Sequence, residues 1–419
     1  MLLGIHIQNF GVLHDTVFGL SFEELAGQSL NRVEDLYDPA RTGMPADRLP
    51  ASQINVLIGR NSTGKSAFFT ALSFISDCMR HGVPFAADQE DRGGLVKLRT
   101  DGECEDVRFD MLFNDSDSNA FLAYELVLSC NAQGQPRVLR ETVRRAVLTV
   151  DHFEVTILLS LENGRGSVLD DGTPRHAGVT DTKVPALAIY GSLLAYPSLN
   201  LIYNQIVRWF FGRFEVQHRA STPAPARTGG HRHINIDGDN VSNVLDFYRK
   251  EHPDLYDTII ARISERLPEE KRIDQAFRNG GVTSGIRKLY TLLLLLEDPR
   301  PRPLICLEEP DGGLYHDMVD ALSLAIRDYV IRNPDCQVFF TTHSQYILES
   351  MRPEEVWVFE RRPEGPGSSV SGSYTHTRCV ARDAVVRTMH AEGIGMGALW
   401  YSGHLESSWE DLHASGSTD

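Results

Sequence analysis

Residues 59–66 read Gly-Arg-Asn-Ser-Thr-Gly-Lys-Ser, and this octapeptide decides the fold class. It fills every fixed position of the pattern G-x-x-x-x-G-K-[ST], whose glycines let successive backbone N–H groups curl around phosphate oxygens. The apolar residues 54–58 before it predict a buried strand, and the run AFFTALSFISDCMR after it has apolar residues at helical spacing. Strand, loop and helix therefore stand in the order that a phosphate-binding loop requires.

The residues of this loop have distinct expected contacts with a bound nucleotide. Lys65 is predicted to reach the β- and γ-phosphates, and Ser66 to supply a hydroxyl ligand to Mg²⁺. The predicted nucleotide-binding residues here are Gly59, Arg60, Asn61, Ser62, Thr63, Gly64, Lys65, Ser66 and Ala67. ATPases, GTPases and kinases all use such a loop, so later segments must decide among them.

Two acids follow a second apolar run. Leu304 to Leu307 end at Glu308-Glu309-Pro310, which is typical of a buried parallel strand with carboxylates at its carboxyl end. One carboxylate there can hold the Mg²⁺ shell, and its neighbour can accept a proton from the attacking water. We assign the metal role to Glu308 and the role of general base to Glu309. Two acids that merely end a strand are the alternative.

Two further segments are weaker indications when each is taken alone. The β-rich residues 337–342 end at His343, but most histidines lie at surfaces or helix caps. Thr283-Ser284-Gly285 stand just before the apolar run 289–296, where a hydroxyl residue and a glycine at a helix start can direct N–H donors at an anion. An ordinary helix cap explains the same three residues.

The composition is that of a globular protein. Of the 419 residues, 42% are hydrophobic and 23% are charged. The apolar run 289–296 is far shorter than the roughly 18 residues of a spanning helix, so we expect no membrane partner. The opening MLLGIHIQNF alternates apolar and polar residues without a basic leader, which predicts no secretory signal and a cytoplasmic location.

The charge pattern leaves contact with DNA open. A formal net charge of −16 opposes binding of nucleic acid over the whole surface. Residues 205–233 are nevertheless locally basic, with Arg208, Arg213 and Arg219 among them. A solvated loop rich in proline and glycine is the alternative interpretation of that segment.

Taken in order, GRNSTGKS, TSGIRK, LICLEEPDGGLYH and TTHSQYILES resemble the ABC-type ATPases of the RecF, SMC and OLD group, above all the small stand-alone bacterial members. The amino-terminal IHIQNFGVLHD is similar to the opening strand of that group. The resemblance implies an α/β fold of the P-loop NTPase, ABC-ATPase type, with ATP and Mg²⁺ as ligands. The middle of the chain is less similar.

The resemblance also implies roles for the weaker segments. His343 would contact the γ-phosphate and sense whether it is present. Thr283, Ser284 and Gly285 of one subunit would cap the γ-phosphate held by another, so that two nucleotides are sandwiched in a homodimer. Two residues depart from the pattern of the group, since Glu308 replaces an aspartate and Thr283-Ser284-Gly285-Ile286 replaces Ser-Asp-Gly-Thr.

The expected organisation is a mixed-sheet core with an antiparallel β subdomain and a helical insertion. Residues 105–165 alternate as strands do, and residues 195–275 read mostly helical. The predicted segments are 1–130 for the first part of the ATPase core with the β subdomain, 131–280 for a β-rich then helical insertion, 281–360 for the second part of the core, and 361–419 for a tail that docks a partner. We expect no long coiled coil and no nuclease domain of the TOPRIM type.

The predicted function is an ATP-hydrolysing switch that dimerises around nucleotide. It would control a separately encoded effector, such as a nuclease or a toxin, in anti-phage defence or DNA maintenance. The alternative is an ATP-dependent scaffold with little turnover that sequesters a partner protein. A GTPase is disfavoured because no N-K-x-D element follows a predicted strand.

Overall fold

A computed structural model describes residues 1–26, 49–89, 92–100, 106–115, 120–131, 133–149, 152–170, 172–214, 231–267, 283–363 and 373–405. The chain divides into two compact units. The first unit is Met1–Trp209 with Pro353–Thr388, and the second is Phe210–Arg352 with Met389–Asp419. Each unit is therefore assembled from two separate stretches of sequence.

The strands, in chain order, are β1 Leu2–Phe10, β2 Leu13–Gly19, β3 Ile54–Ile58, β4 Val107–Asp115, β5 Ala120–Cys130, β6 Pro136–Leu148, β7 Phe153–Glu162, β8 Arg165–Asp170, β9 Thr173–Gly178, β10 Phe210–Gly212, β11 Leu304–Leu307, β12 Gln337–Thr341, β13 Val356–Pro363 and β14 Ser373–Cys379. The helices are α1 Phe22–Ala26, α2 Lys65–His81, α3 Val83–Ala87, α4 Leu95–Leu98, α5 Ala186–Tyr190, α6 Pro197–Val207, α7 Val241–Glu251, α8 Pro253–Arg266, α9 Ser284–Leu296, α10 His316–Arg332, α11 Gln345–Glu349, α12 Ala384–Ala391 and α13 Met396–Tyr401.

The first unit contains an eight-stranded antiparallel sheet in the order β2-β1-β4-β5-β6-β7-β8-β9. Residues along β4 alternate between a buried face, with Phe109 and Met111, and a more accessible face, with Arg108 and Asp110. Such alternation is what a sheet packed on one side requires. The predicted antiparallel β subdomain is therefore confirmed.

The same unit holds the strand and helix that flank the phosphate loop. Strand β3 pairs in parallel with β13, and β13 pairs antiparallel with β14. The rings of Phe18, Phe68 and Trp357 pack together, with centroids 4.9 Å apart for Phe18 and Phe68 and 4.2 Å apart for Phe18 and Trp357. These buried contacts join β2, α2 and β13, and so hold α2 in place behind the loop.

The second unit has β10, β11 and β12 paired in parallel in that order. The runs LICL and QVFFT are buried at every position, as expected for parallel strands that are covered on both faces. Helix α9 is buried from Lys288 to Leu296. Parallel and antiparallel pairing with helices confirms the predicted α/β class with mixed strand pairing.

Residues 361–419 contribute secondary structure to both units. Strand β14 belongs to the first unit, and α13 belongs to the second. In the second unit Met396, Leu399 and Leu405 are buried, whereas Tyr401 is 85% exposed. Met396, Leu399 and Leu405 thus belong to the core, and the Tyr401 ring faces solvent.

The longest helices in the described part of the chain, α2 and α10, have 17 residues each. None of the described helices combines the length and apolar character needed to cross a membrane.

Candidate functional site

The phosphate loop turns sharply at two glycines that cannot be replaced without a clash. Gly59 has φ 139° and Gly64 has φ 106°, a backbone region that favours glycine. A Cβ on Gly59 would lie 2.2 Å from the carbonyl oxygen of Phe359, and one on Gly64 would lie 2.6 Å from Oγ1 of Thr375. Both fixed glycines of the sequence pattern are therefore required by close packing against β13 and β14.

The side chain of Lys65 lies across its own loop. Its Nζ donates hydrogen bonds to the carbonyl oxygens of Gly59, at 2.6 Å, and Arg60, at 2.9 Å. Thr63 Oγ1 also donates to the Arg60 oxygen, at 2.9 Å. The loop is thus tied into a ring by a buried ammonium group, which places a positive charge among the backbone amides of the turn.

The other loop residues are accessible. Arg60, Asn61, Ser62 and Ser66 are exposed, and Ala67 is half-buried at the first turn of α2. No side chain caps the first amides of α2, because its N-cap residue is Gly64. A helix start whose amides no side chain caps, together with an ammonium group and an accessible hydroxyl, has the donor set that a polyphosphate with Mg²⁺ needs.

The second unit places the two acids at the carboxyl end of β11. The Glu309 N–H donates to Thr341 Oγ1 of β12 at 3.1 Å, and Glu309 has a left-handed φ of 42°. A positive φ is uncommon for a residue with a side chain and is found most often at functional sites and tight turns. The Glu309 carboxylate is 60% exposed, so this conformation directs it outward.

His343 lies beside Glu309, as two parallel neighbouring strands require. His343 Nε2 is 3.8 Å from Glu309 Oε1, and both side chains are accessible. Glu308 points to a different neighbour, because its Oε1 is 3.8 Å from Nε of Arg213 in the residues after β10. The structure thus groups Glu308, Glu309 and His343 at one edge of the second unit.

Lys288 holds the turn that follows Glu309, a contact that the sequence did not predict. Its Nζ donates to the carbonyl oxygens of Glu309, at 2.8 Å, and Gly312, at 2.9 Å. Burial lowers the pKa of Lys288, while the carboxylates of Asp311 and Glu309 act in the opposite direction. The available signal was a lysine directly before the apolar run 289–296.

Asp311 is a second buried member of this turn. Thr342 Oγ1 donates to Asp311 Oδ2 at 2.7 Å. Burial raises the pKa of Asp311, and the bond from Thr342 and the charge of Lys288 lower it in part. Asp311, Lys288 and Thr342 therefore form a buried polar layer beneath the exposed Glu309 and His343.

Residues 283–285 begin α9 beside the same turn. Thr283 is the N-cap, and its Oγ1 accepts from the Ile286 N–H at 3.4 Å. A Cβ on Gly285 would lie 2.9 Å from the carbonyl oxygen of Gly313. Thr283 thus caps helix α9, as the alternative interpretation predicts. A role of Thr283 and Ser284 toward the nucleotide of another copy stays a prediction.

Only part of the basic segment 205–233 lies within the described residues. Arg208 ends α6, Arg213 contacts Glu308, and residues 215–230, which include Arg219, lie outside the described residues. Within the described ranges, no group of three or more His, Cys, Asp or Glu side chains is placed to hold a metal ion. The Ser66 hydroxyl and the Glu308 carboxylate, one in each unit, are oxygen donors of the kind that Mg²⁺ prefers.

Comparison with known proteins gives one family match. Residues 210–349, about a third of the chain, match the model described as "AAA domain, putative AbiEii toxin, Type IV TA system". The match begins at β10 and ends within α11, so it covers both acids, His343 and residues 283–285. None of the curated proteins matches the chain.

Several solved structures align with most of the chain at low identity. The SMC head domain from Thermotoga maritima is 12% identical, with 90% of this chain and 98% of that chain covered and a TM-score of 0.39. An Smc head bound to the C-winged helix domain of ScpA is 10% identical, with 91% and 99% covered and a TM-score of 0.44. A nucleotide-free ATP-binding cassette from an ABC transporter is 13% identical, with 86% and 87% covered and a TM-score of 0.30.

The first unit supplies a glycine-constrained phosphate loop ahead of α2, and the second supplies paired acids and a histidine at the ends of parallel strands. Residues 210–349 thus match the AAA domain family, and the sequence motifs of both units are similar to those of the ABC-type ATPases of the RecF- and SMC-like group.

Proposed function

We propose that the protein is an ATP-hydrolysing switch that works as a homodimer and controls a separately encoded effector. The observation that carries the proposal is the phosphate loop, in which packing forces both glycines and a buried Lys65 lies among the loop amides. The pairing of Glu309 with His343 supports the hydrolytic part.

In this proposal the chain's own residues divide the chemistry. The loop amides and Lys65 bind the triphosphate, and Ser66 and Glu308 hold Mg²⁺, which when bound neutralises charge on the phosphate oxygens. Glu309 accepts a proton from the attacking water, since its carboxylate is exposed and its backbone is fixed by Thr341. His343, next to Glu309, contacts the γ-phosphate and reports its presence.

The protein would work with two kinds of partner, a second copy of itself and a separate effector. Thr283, Ser284 and Gly285 of one copy would cap the γ-phosphate held by the second copy, which makes ATP part of the interface. The matched family is described in terms of a toxin of a Type IV toxin–antitoxin system, and this supports a partner protein that is encoded separately. Anti-phage defence or DNA maintenance is the proposed setting.

Phosphate release with Mg²⁺ and ATP tests the hydrolytic role of Glu309. We expect Glu309→Gln to lower the rate about 100-fold or more, the range that a general base contributes, and to leave ATP affinity within about twofold. Lys65→Ala should instead weaken ATP binding about 10- to 100-fold, because it removes charge-assisted hydrogen bonds to phosphate. Wild-type affinity for ATP in the Lys65→Ala protein would contradict the assignment of the site.

A scaffold that binds ATP with little turnover is the second candidate. Glu308 stands where the group has an aspartate, and Arg213 lies 3.8 Å from its carboxylate, which favours a weaker metal site. Under this alternative the wild type and Glu309→Gln release phosphate at the same negligible rate while both bind ATP. A rate difference between them rules the scaffold out.

A further inference from the structure

The back of the phosphate loop contacts β14, which lies more than 300 residues away in sequence. Thr375 of this strand is fully buried. Its Oγ1 is 3.0 Å from the carbonyl oxygen of Thr63 and 3.1 Å from that of Val12, so the hydroxyl can donate to either. The carbonyl oxygen of Thr375 accepts in turn from Thr16 Oγ1 at 3.0 Å. One residue thus links the loop to the β1–β2 hairpin.

The same side chain fills the space behind Gly64. A Cβ on Gly64 would lie 2.6 Å from Oγ1 and 2.9 Å from Cγ2 of Thr375. Thr63 and Gly64 directly precede Lys65 and Ser66, the residues assigned to phosphate and Mg²⁺. The Thr375 hydroxyl therefore bonds the loop carbonyl, and its methyl group supports the loop, at the point where the chain turns into α2.

We propose that Thr375 is a positioning residue for the phosphate loop, which sets the direction of the Thr63 carbonyl and hence the curvature of the turn before Lys65. It does not touch the nucleotide itself. This inference rests on the proposed function, since it requires that the loop bind ATP. Preorganised loop amides bind an anion more tightly than amides that must first be ordered.

Thr377 provides a matched comparison on the same strand. It stands two residues further along and therefore shares a face with Thr375. It is also buried, and its hydroxyl also donates to a backbone carbonyl of β2, that of Val17. Both hydroxyls bond the β1–β2 hairpin, and Thr375 in addition contacts the phosphate loop, so the structural cost that the two threonines share cancels in the comparison.

The test compares ATP affinity of the full-length wild type with that of Thr375→Val, Thr375→Ser and Thr377→Val, measured by titration calorimetry with Mg²⁺ and a non-hydrolysable ATP analogue. We expect Thr375→Val to weaken affinity about tenfold, the equivalent of one neutral hydrogen bond. Thr375→Ser keeps the hydroxyl and should bind within about twofold of the wild type, as should Thr377→Val. Thr375→Ala, which adds no bulk, should show the same loss as Thr375→Val and serves if valine prevents folding.

Thermal unfolding without nucleotide separates positioning from stability. We expect Thr375→Val and Thr377→Val to lower the Tm by similar amounts, because each removes hydrogen bonding from a buried hydroxyl to the backbone. Equal ATP affinity in the two valine variants would overturn the positioning role, and so would a serine variant as weak as the valine variant. If Lys65→Ala binds ATP more weakly than the wild type, such a result leaves the proposed function standing. A wild type that fails to bind ATP overturns both.

Discussion

Lys288 joins the two sides of the turn that follows Glu309 through hydrogen bonds to the carbonyl oxygens of Glu309 and Gly312. Glu309 needs such a fixed point because a residue with a side chain does not favour its φ of 42°. A buried ammonium with two carbonyl acceptors cannot be exchanged for an apolar group without loss, since each carbonyl then loses a charge-assisted hydrogen bond and that of Glu309 keeps the Gly312 N–H. The position of the proposed base thus depends on a lysine of a different element.

We predict that Lys288→Met lowers phosphate release about tenfold, equivalent to about 1.4 kcal/mol of transition-state stabilisation, while ATP affinity changes about twofold or less. Methionine keeps most of the aliphatic stem of lysine and lacks the ammonium group that makes both hydrogen bonds. Lys288→Arg keeps the charge and donors and should recover most of the rate. Arg327→Met, which removes a cation bonded to the Ser350 carbonyl elsewhere in the second unit, is the control. An equal loss in the Lys288 and Arg327 variants would contradict the prediction.

Sequence patterns identify site residues that stand in a contiguous motif. They miss residues whose contacts with the site come from distant parts of the sequence. Residues 59–66 were identifiable because the loop motif is contiguous, and Glu309 because it directly follows an apolar run. Thr375 carries no such signal, because a threonine in a strand is common and its loop contact spans 312 residues of sequence. Lys288 is recognisable as a charged residue directly before an apolar run, but the sequence does not identify its hydrogen-bond acceptors.

Strand β6 and helix α5 are joined by a buried carboxylate. Glu141 of β6 accepts from the N–H groups of Ala186, at 2.6 Å, and Leu187, at 2.7 Å, and from the Tyr124 hydroxyl, at 2.9 Å. Burial raises the pKa of Glu141 to about 7, because the three hydrogen bonds offset the loss of water only in part. The connection between sheet and helix therefore depends on pH.

The folded state should hold a proton on Glu141 more tightly than the unfolded chain, whose pKa is near 4.5. The stability from this group is then fully present below pH 4.5 and is lost as pH rises to about 7, an upper estimate of about 3 kcal/mol. We predict that Glu141→Gln, which carries no charge, shows a smaller decline in the free energy of unfolding from pH 5 to pH 7.5. Urea unfolding across that range measures it, and identical slopes for both proteins would refute the assignment.

The sequence predicts whether a segment is a strand or a helix better than it predicts which strands pair. The apolar runs of β11 and β12 and the alternation in β4 follow from which faces are buried. Pairing of β4 with β1, which brings Met111 opposite Ile5, joins residues more than 100 positions apart, and alternation cannot specify it. Strand β14 lies in the segment 361–419, for which the sequence predicts a docking tail. Its pairing with β13 is recognisable only from the folded sheet.

On the scale of the whole molecule, the first unit depends on both ends of the described chain. Strand β13 pairs with β3 from Val356 opposite Val56 to Val358 opposite Ile58, and β14 then covers the back of the phosphate loop. A chain cut after Arg352 would lack both strands and leave Gly59 and Gly64 without their neighbours. The loop is thus a property of the complete first unit, although its motif is eight residues long.

The proposed switch requires that ATP bring two chains together, and this is testable without knowledge of the effector. We predict that Glu309→Gln, which binds ATP but hydrolyses it slowly, runs at twice the monomer mass with ATP and Mg²⁺ in light scattering after size exclusion, and at the monomer mass without ATP. Ser284→Arg places a bulky charge at the start of α9 and should abolish the ATP-dependent dimer while ATP affinity stays within about twofold of the wild type. Lys65→Ala should stay monomeric at ATP concentrations near the wild-type Kd, because it binds ATP about 10- to 100-fold more weakly. A Glu309→Gln protein that binds ATP and keeps the monomer mass would refute the dimer and leave nucleotide binding intact.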